Sequence, residues 1–374
     1  MSDETTKRKL ASIQKISEIR DIPDADKIQV AQILGWECVI SKKDNFKAGD
    51  FVVYIEIDSI CSERNEFEFL RERKFRVRTI KLRKQVSQGL VMPLSILPNT
   101  TGIVEGADVT DILGIKKYDP QLVEEQKIAE DAKSKSEVFK FFMGFAIFRW
   151  IYFKFNHVEK GWPQWISHTD EERLQTCAKI FINNMDKIWY VTEKVDGQSA
   201  TYFYHKSKCW GFAKWIFGIC SRNIWLKKPT NGSYWQAAEK FDIKNKFVKF
   251  NKELVSQGEN LGPGIQGNKY GLKELDFMVF NIVKDGERCE IAQMEHLCKI
   301  LGLKTVPVIN RAFDPKSLGN LTEVKDVVQA LVKMSNGKSQ LADIPREGLV
   351  FRLNTNPNVS FKVINPEFSL KFNE

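Results

Sequence analysis

The chain has 374 residues, 57 Lys and Arg against 48 Asp and Glu, and a formal net charge of +9. At about 150 residues per domain, that length holds two or three domains. The content of 43% hydrophobic and 11% aromatic residues supplies real cores and excludes wholesale disorder.

Met1 to Lys7 is polar, with no apolar signal region. Residues 10–115 read as β-rich. The alternating runs Ile28–Ile33, Glu37–Ile40 and Phe51–Ile55 are punctuated by Gly35, by Lys42-Lys43-Asp44-Asn45 and by Gly49. Short strands punctuated this way over about 100 residues predict a small closed barrel. Between Arg64 and Lys84, nine Lys and Arg stand against three Glu, a net +6. Arg73-Lys74-Phe75-Arg76-Val77-Arg78 alternates basic and apolar, which predicts a strand with one wet basic face. Ile80-Lys81-Leu82-Arg83 alternates in the opposite phase, which predicts a turn or bulge near Thr79. Two readings stand. One is an edge strand using charge to resist aggregation. The other is a phosphate-tracking groove built from Arg73, Lys74, Arg76, Arg78, Lys81 and Arg83.

Residues 117–137 read as a polar, partly helical connection. Val138 to Phe155 is rich in aromatics but is broken by Lys140, Arg149 and Lys154. A span needs roughly 20 mostly apolar residues, so membrane insertion is rejected. A linker helix packed between domains is expected, with a surface-seeking helix as the other reading. Thr169 before Asp170, Glu171 and Glu172 predicts an N-capped helix start. From about residue 160 the pattern is mixed, with strands at Ile188–Val191 and Phe277–Phe280 and a helix over Ile291–Leu301. The seven cysteines hold no CxxC pair, which argues against structural zinc. Their odd, scattered placement predicts free thiols in a reducing compartment, cytoplasm or nucleus. The four His form no close set, and the one Gly-Lys-Ser, Gly337-Lys338-Ser339, lacks the Gly five residues upstream that a P-loop needs, so a His-centred triad and a P-loop are excluded.

Lys194-Val195-Asp196-Gly197 directly follows an apolar strand. A Lys at a strand end, before an Asp-Gly turn, can be held at the floor of a pocket. Neighbouring cations or burial would favour its neutral, nucleophilic form. Read alone, the tetrapeptide is equally a hairpin turn with a solvated Lys. Its context lies further on. The stretch from Gly258 to Asn268 holds four Gly and one Pro around Glu259, Phe280 sits in an apolar strand, Glu347 starts another, and Lys362 lies on a strand soon after. Cys220-Ser221-Arg222-Asn223 offers an Arg between them.

This ordered set resembles the motifs of the covalent nucleotidyltransferases, the ligase and capping-enzyme superfamily. Lys194 looks like the motif I nucleophile, Arg222 like motif Ia, Glu259 with Phe280 like motif III, Glu347 like motif IV and Lys362 like motif V. The Gly258–Asn268 stretch and Glu347-Gly348-Leu349-Val350-Phe351-Arg352 are similar to the T4 phage RNA ligase 2 branch. The segments Ile19–Ile28, Ile80–Arg83, Ser87–Leu90 and Trp162–Gln175 are similar to RNA ligases of the Deinococcus and Naegleria type, which place an OB module before the catalytic domain.

The resemblance implies an α+β chain of two domains. These are an OB barrel at 1–115 and an adenylyltransferase domain at 160–374, joined by a linker at 116–159. It implies an ATP-dependent ligase that joins 3′-hydroxyl and 5′-phosphate RNA ends, on nicked duplex RNA, as a monomer. Lys194 would carry AMP. Lys362, Arg222 and Lys371 would serve the phosphates, Phe280 would stack on adenine, and Asp196, Glu259 and Glu347 would hold Mg²⁺ or Mn²⁺, with the ribose hydroxyls of ATP as the other reading of Glu259. Arg173 or Gln175 would touch nucleotide or RNA. Three positions depart from the family: Asn281 where many relatives have Asp, Ser360 in place of a first motif V Lys, and Ser199 in place of an Asn. The alternatives are an RNA-end-binding protein without catalysis on the same fold, or a capping guanylyltransferase or DNA ligase.

Overall fold

The computed structural model describes residues 9–99, 104–118, 160–209, 212–226, 232–319 and 321–372. The connection expected over most of 117–159, including Val138–Phe155, lies outside the described residues.

The first module is built from β1 (Ala11–Asp21), β2 (Ile28–Ile33), β3 (Trp36–Ser41), β4 (Phe51–Ile55), β5 (Ser59–Ile60), β6 (Arg76–Val77), β7 (Ile80–Leu82), β8 (Gln85–Ser87), β9 (Leu90–Met92) and β10 (Lys116–Lys117). One sheet runs β3-β2-β1-β4-β9, a second β10-β5-β6, and β7 pairs only with β8. β1 pairs with β4 through Ala11–Lys15 and with β2 through Ile16–Asp21, and its register slips between Ile16 and Glu18. Such a bulge lets one long strand turn a barrel corner. The alternation in β3 puts Trp36, Cys38 and Ile40 into a core with Tyr54, Phe67 and Leu70.

The long basic strand expected from Arg73 does not form. Asn65–Arg73 is a 3₁₀ helix whose Phe67 and Leu70, three residues apart, both reach the core. Lys74 and Phe75 follow with left-handed backbone, φ 54° and 58°. Only Arg76 and Val77 are strand. Burial of the aromatic at 67 therefore outweighs the basic-apolar alternation that begins at 73. The phase change near Thr79 marks the start of the β7–β8 hairpin.

The second module contains β11 (Lys160–Gly161), β12 (Glu172–Arg173), α1 (Leu174–Ile182), β13 (Trp189–Lys194), β14 (Gln198–Cys209), β15 (Phe212–Cys220), β16 (Ile224–Leu226), α2 (Ser233–Lys240), α3 (Ile243–Phe250) and β17 (Leu254–Leu261). It continues with β18 (Asp276–Lys284), β19 (Glu287–Arg288), α4 (Ile291–Leu301), β20 (Lys304–Thr305), β21 (Val308–Phe313), α5 (Val324–Ser335), β22 (Gly348–Leu353), β23 (Asn356–Ile364) and α6 (Pro366–Phe372). One sheet runs β11-β16-β15-β14-β17-β18-β19, with β20 on β18. The other runs β12-β23-β22-β13-β21. Helices α2, α3 and α4 cover the larger sheet. Helices α1 and α5 cover the smaller one around Phe181, Trp189, Phe351 and Phe361. The helix expected to start at Thr169 starts instead at Leu174, with Arg173 as an N-cap that makes no side-chain cap bond. The acids read as its first turn are committed elsewhere: Asp170 to Arg222 and Glu171 to Arg352.

Among the described residues, no helix is long and apolar enough to cross a membrane. Six cysteines, Cys38, Cys61, Cys177, Cys220, Cys289 and Cys298, are free and buried.

The modules dock through the turn between β2 and β3. Leu34 has a left-handed φ of 55°. A Cβ on Gly35 would stand 2.6 Å from Val328 Cγ2 of α5 and 3.3 Å from Gln175 Cα of α1. Lys325 pairs with Glu18 at 2.5 Å, and buried Arg173 pairs with Asp58. Replacing Gly35 with Leu should therefore force this notch open. The expected cost is about 1–3 kcal/mol in denaturant unfolding, as for overpacking in a core. A change within about 0.5 kcal/mol would show that the notch is not a tight contact.

Candidate active site

Strand β13 is buried along nearly all its length, because it lies between β22 and β21. It ends at Lys194. The chain then crosses through Val195, Asp196 and Gly197 into β14 of the other sheet, so Lys194 stands on the seam between the two sheets. The crossing is tight: a Cβ on Gly197 would come within 2.6 Å of the Asn260 carbonyl oxygen. Lys194 faces Gly348 across the β13–β22 pair. A Cβ at Gly348 would meet the Val363 carbonyl oxygen at 2.1 Å, so only glycine lets β22 and β23 close here. That closure brings Glu347 beside Lys194, and Lys194 Nζ donates to Glu347 Oε1.

Burial alone would push the Lys194 ammonium toward its neutral form. The negative charges of Glu347, Glu259 and Asp196 outweigh it and hold Lys194 well above its ordinary range, so the resting side chain is protonated. Glu259, opposite Ser199 on β17, is pushed up to about 8 by burial. Lys194 opposes that rise, while Glu347 and Asp196 add to it.

A second charge centre lies at Asp170. Arg222 Nη2 donates to its Oδ1 at 2.6 Å, and Lys117 Nζ of the first module to its Oδ2 at 3.1 Å. Burial would raise the carboxyl, but Arg222, Lys117 and Lys362 hold it well below the usual carboxylate range.

Two adjoining cavities of about 320 and 110 Å³ share Lys194, Ser199, Arg222, Glu259 and Lys362 in their walls. The larger is rich in cations, because Arg76, Lys117 and Arg173 also face it. Arg76 lies 3.7 Å from the Tyr118 ring centroid and bonds Asp58 at 3.5 Å. The smaller has apolar walls of Phe280, Val306 and Val350. Phe280 reaches it through a bulge: Gln257 pairs with Asn281 and Gly258 with Val279, so Phe280 is the extra residue of β18. An extra residue of this kind re-aims a side chain, here toward the slot.

Buried polar bonds hold this arrangement. Arg352 of β22, 3% exposed, donates to the Phe280 carbonyl and to Glu171 Oε1, the latter at 2.8 Å. Arg288 Nε donates to Asn281 Oδ1 at 2.8 Å, and Asn281 Nδ2 to Gln257 Oε1 at 2.6 Å. Gln257 Nε2 in turn donates to the Ser167 carbonyl at 3.0 Å. Residues 167–171, which carry Asp170, are thus tied to both sheets.

Among the described residues no three His, Cys, Asp or Glu side chains converge on one point as a ready metal cage. Among the described residues three buried carboxylate oxygens nevertheless have no hydrogen-bond partner, Glu193 Oε1, Glu259 Oε2 and Glu347 Oε2, and the last two belong to the acids that act on Lys194. Hard, unpartnered oxygens fit a divalent cation that keeps waters or phosphate as its other ligands. Asp196 fits less well, because its Oδ2 is held by Lys269 at 2.5 Å.

A family model described as an OB-fold domain matches residues 10–94, and one described as RNA ligase matches residues 187–364. The structure is similar to that of an RNA ligase from Naegleria gruberi. The form with pyrophosphate aligns at TM-score 0.76 and 30% identity, over 97% of this chain and 98% of that one. A variant of that ligase with AMP and Mn aligns at 0.76 and 30%, over 96% and 98%. A variant with ATP and Mn aligns at 0.75 and 30%, over 97% and 98%. The chain belongs to the RNA ligase family. No curated protein matches it by sequence.

In this RNA ligase the cavities gather Lys194, Asp196, Arg222, Glu259, Phe280, Glu347 and Lys362. Lys371 is not among them. It is exposed on α6, near the Phe372 ring, while Ser369 and Phe372 of the same helix face the larger cavity. Of the six basic residues expected to track phosphates, Arg76 faces the cavity instead of a wet strand face, and Arg78 is half-buried. Arg73, Lys74, Lys81 and Arg83 are exposed. Asn281, a departure from the family pattern, uses its amide both ways between Arg288 and Gln257. Sequence reading missed Asp170, Glu171, Lys117 and Arg352. A signal existed for Arg352, a charge set within the apolar strand Gly348–Leu353.

Gly348→Ala should displace Glu347 and lower both thermal stability and Lys194 reactivity; an unchanged melting temperature would show that β22 tolerates the Cβ. Glu259 titrates at about 8 in the fold against a little above 4 when unfolded. Its ionisation therefore costs the ligand-free protein stability progressively as pH rises through that window. Glu259→Gln should raise the melting temperature by several degrees at about pH 9 and leave it nearly unchanged at about pH 4. Equal shifts at both pH values would overturn this account.

Proposed function

We propose that this RNA ligase seals nicked duplex RNA by three nucleotidyl transfers that start on Lys194. Neutral Lys194 Nζ attacks the α-phosphorus of ATP, forming a P–N bond and expelling pyrophosphate. The AMP passes to an RNA 5′-phosphate, which frees Lys194. A 3′-hydroxyl then attacks that phosphate, making the phosphodiester and releasing AMP. The observation that carries this reading is the position of Lys194. It stands where an aromatic slot suited to a purine meets a cation-rich cavity suited to phosphates.

Phe280 offers its ring to adenine from the bulge. Lys362 and Arg222 both face the cavities, each acting on Asp170, and counter the charge that gathers on a phosphorus under attack. Glu259 and Glu347 would hold Mg²⁺ or Mn²⁺ through their unpartnered oxygens. When bound, such a cation supplies positive charge close to Lys194, which favours loss of the lysine proton. Arg76 and Lys117 bring cations of the first module to the same cavity, in reach of a polyphosphate. We assign the grip on RNA to the module up to about residue 115 and adenylyl transfer to the module from about 160. A monomer suffices, since every group named stands on one chain. The buried free thiols fit a reducing compartment, the cytoplasm or nucleus.

The test is incubation of AMP-free protein with α-labelled ATP or GTP and a divalent metal. A label stable to denaturation is expected on the wild type with ATP only, and none on Lys194→Ala. No label on the wild type would sink the covalent mechanism.

A further inference from the structure

The β7–β8 hairpin carries charge in a way that stability does not explain. Leu82 pairs with Gln85, so Arg83 and Lys84 form a two-residue turn. Both are left-handed, with φ of 47° and 65°. Two-residue hairpin turns with two left-handed positions favour Asn-Gly or Asp-Gly, because a Cβ is strained there. A long cationic side chain at both positions sacrifices stability twice. Strain of this kind is a pointer to function when it is observed, as here.

The hairpin is firmly based and free at its tip. Gln85 Nε2 donates to Glu37 Oε2 at 2.7 Å, and Arg20 reaches both Glu37 and Gln85. Ser87 Oγ accepts from the Val39 amide at 2.9 Å. Beyond this base Lys81, Leu82, Arg83 and Lys84 are all exposed. Among the described residues Lys81, Arg83 and Lys84 have no ion-pair partner, in contrast to Arg64 and Arg71, which are paired with Glu66 and Glu68. A charged edge that only resists aggregation needs no left-handed Arg-Lys pair. Arg83 lies seven positions after Arg76, which lines the larger cavity. An extended chain of that length reaches at most about 25 Å, the span of roughly seven nucleotides.

We propose that this hairpin tip is a phosphate clamp for the RNA duplex flanking the nick, with Arg83 and Lys84 as its contacts and Lys81 beside them. The clamp rests on the reading of this chain as an RNA-sealing enzyme but is separate from its adenylylation chemistry. It reads charge and not sequence, because its groups are cations without a base-directed partner.

The test uses the full chain and a 5′-phosphorylated nicked RNA duplex. Arg83→Asn with Lys84→Gly installs the turn residues that the backbone favours. The double variant should melt no lower than the wild type and should label Lys194 with AMP at the wild-type rate. It should bind the duplex about tenfold more weakly at low salt, and its log Kd against log salt slope should be shallower by about 1.5 to 2, two lost phosphate contacts. Arg83→Lys with Lys84→Arg should keep the wild-type slope. An unchanged slope in the Asn-Gly variant, with adenylylation intact, would overturn the clamp and leave the ligase reading standing. Failure of the wild type itself to bind the duplex or accept AMP would overturn that reading instead.

Discussion

The pairing of Lys194 with Glu347 is the constraint on which the site turns. It requires β13 and β22 to run side by side, Gly348 to lie opposite the lysine, and β23 to close against β22 with no Cβ between them. The pair is not a large source of stability, since two charges taken out of water lose much of what they gain from each other. Its consequence is chemical. A lysine surrounded by Glu347, Glu259 and Asp196 rests as an ammonium, so the attack proposed for it needs new positive charge close by.

Asp170 has the complementary place in the wall of the smaller, adjoining cavity. It holds cations from both modules, Arg222 from the second and Lys117 from the first. An anion entering the cavity meets cations already arranged there, so less ordering cost falls on binding. The same carboxylate links the modules electrostatically, while Arg173–Asp58 and the Gly35 notch link them by buried charge and close packing. The first module is thus part of the wall of the site as well as a candidate grip on RNA.

The basic stretch from Arg64 to Lys84 separates into three uses. Arg64 and Arg71 are balanced by acids two or three residues away. Arg76 is drawn inward beside Tyr118 and Asp58, and Arg78 is half-buried. Arg73, Lys74, Lys81, Arg83 and Lys84 remain outward. A count of charge treats the nine as one patch. Their different neighbours, most of them distant in sequence, make them distinct.

Local patterns in the sequence were enough for much of this protein. The alternations at Ile28–Ile33 and Phe51–Ile55 became strands with those bounds, and Ile291–Leu301 became the helix its spacing requires. Each depends on neighbours two to four residues away, which a linear reading contains. The ordered motifs also named Lys194, Arg222, Glu259, Phe280, Glu347 and Lys362, which share the cavity walls. Other features depended on partners far along the chain. Phe67 took its segment into a 3₁₀ helix by reaching the core, and Asp170 and Glu171 left the expected helix start for Arg222 and Arg352. Asn281 became a two-way bridge, and Lys371 fell outside the cavity although its own helix borders it. The sequence by itself singled out Lys194, Arg222, Glu259, Phe280, Glu347 and Lys362 as one set, because strand periodicity and motif order are local. Only the tertiary structure decided which charges neutralise one another, because that is set by distances between chain segments up to 307 residues apart, as from Glu18 to Lys325.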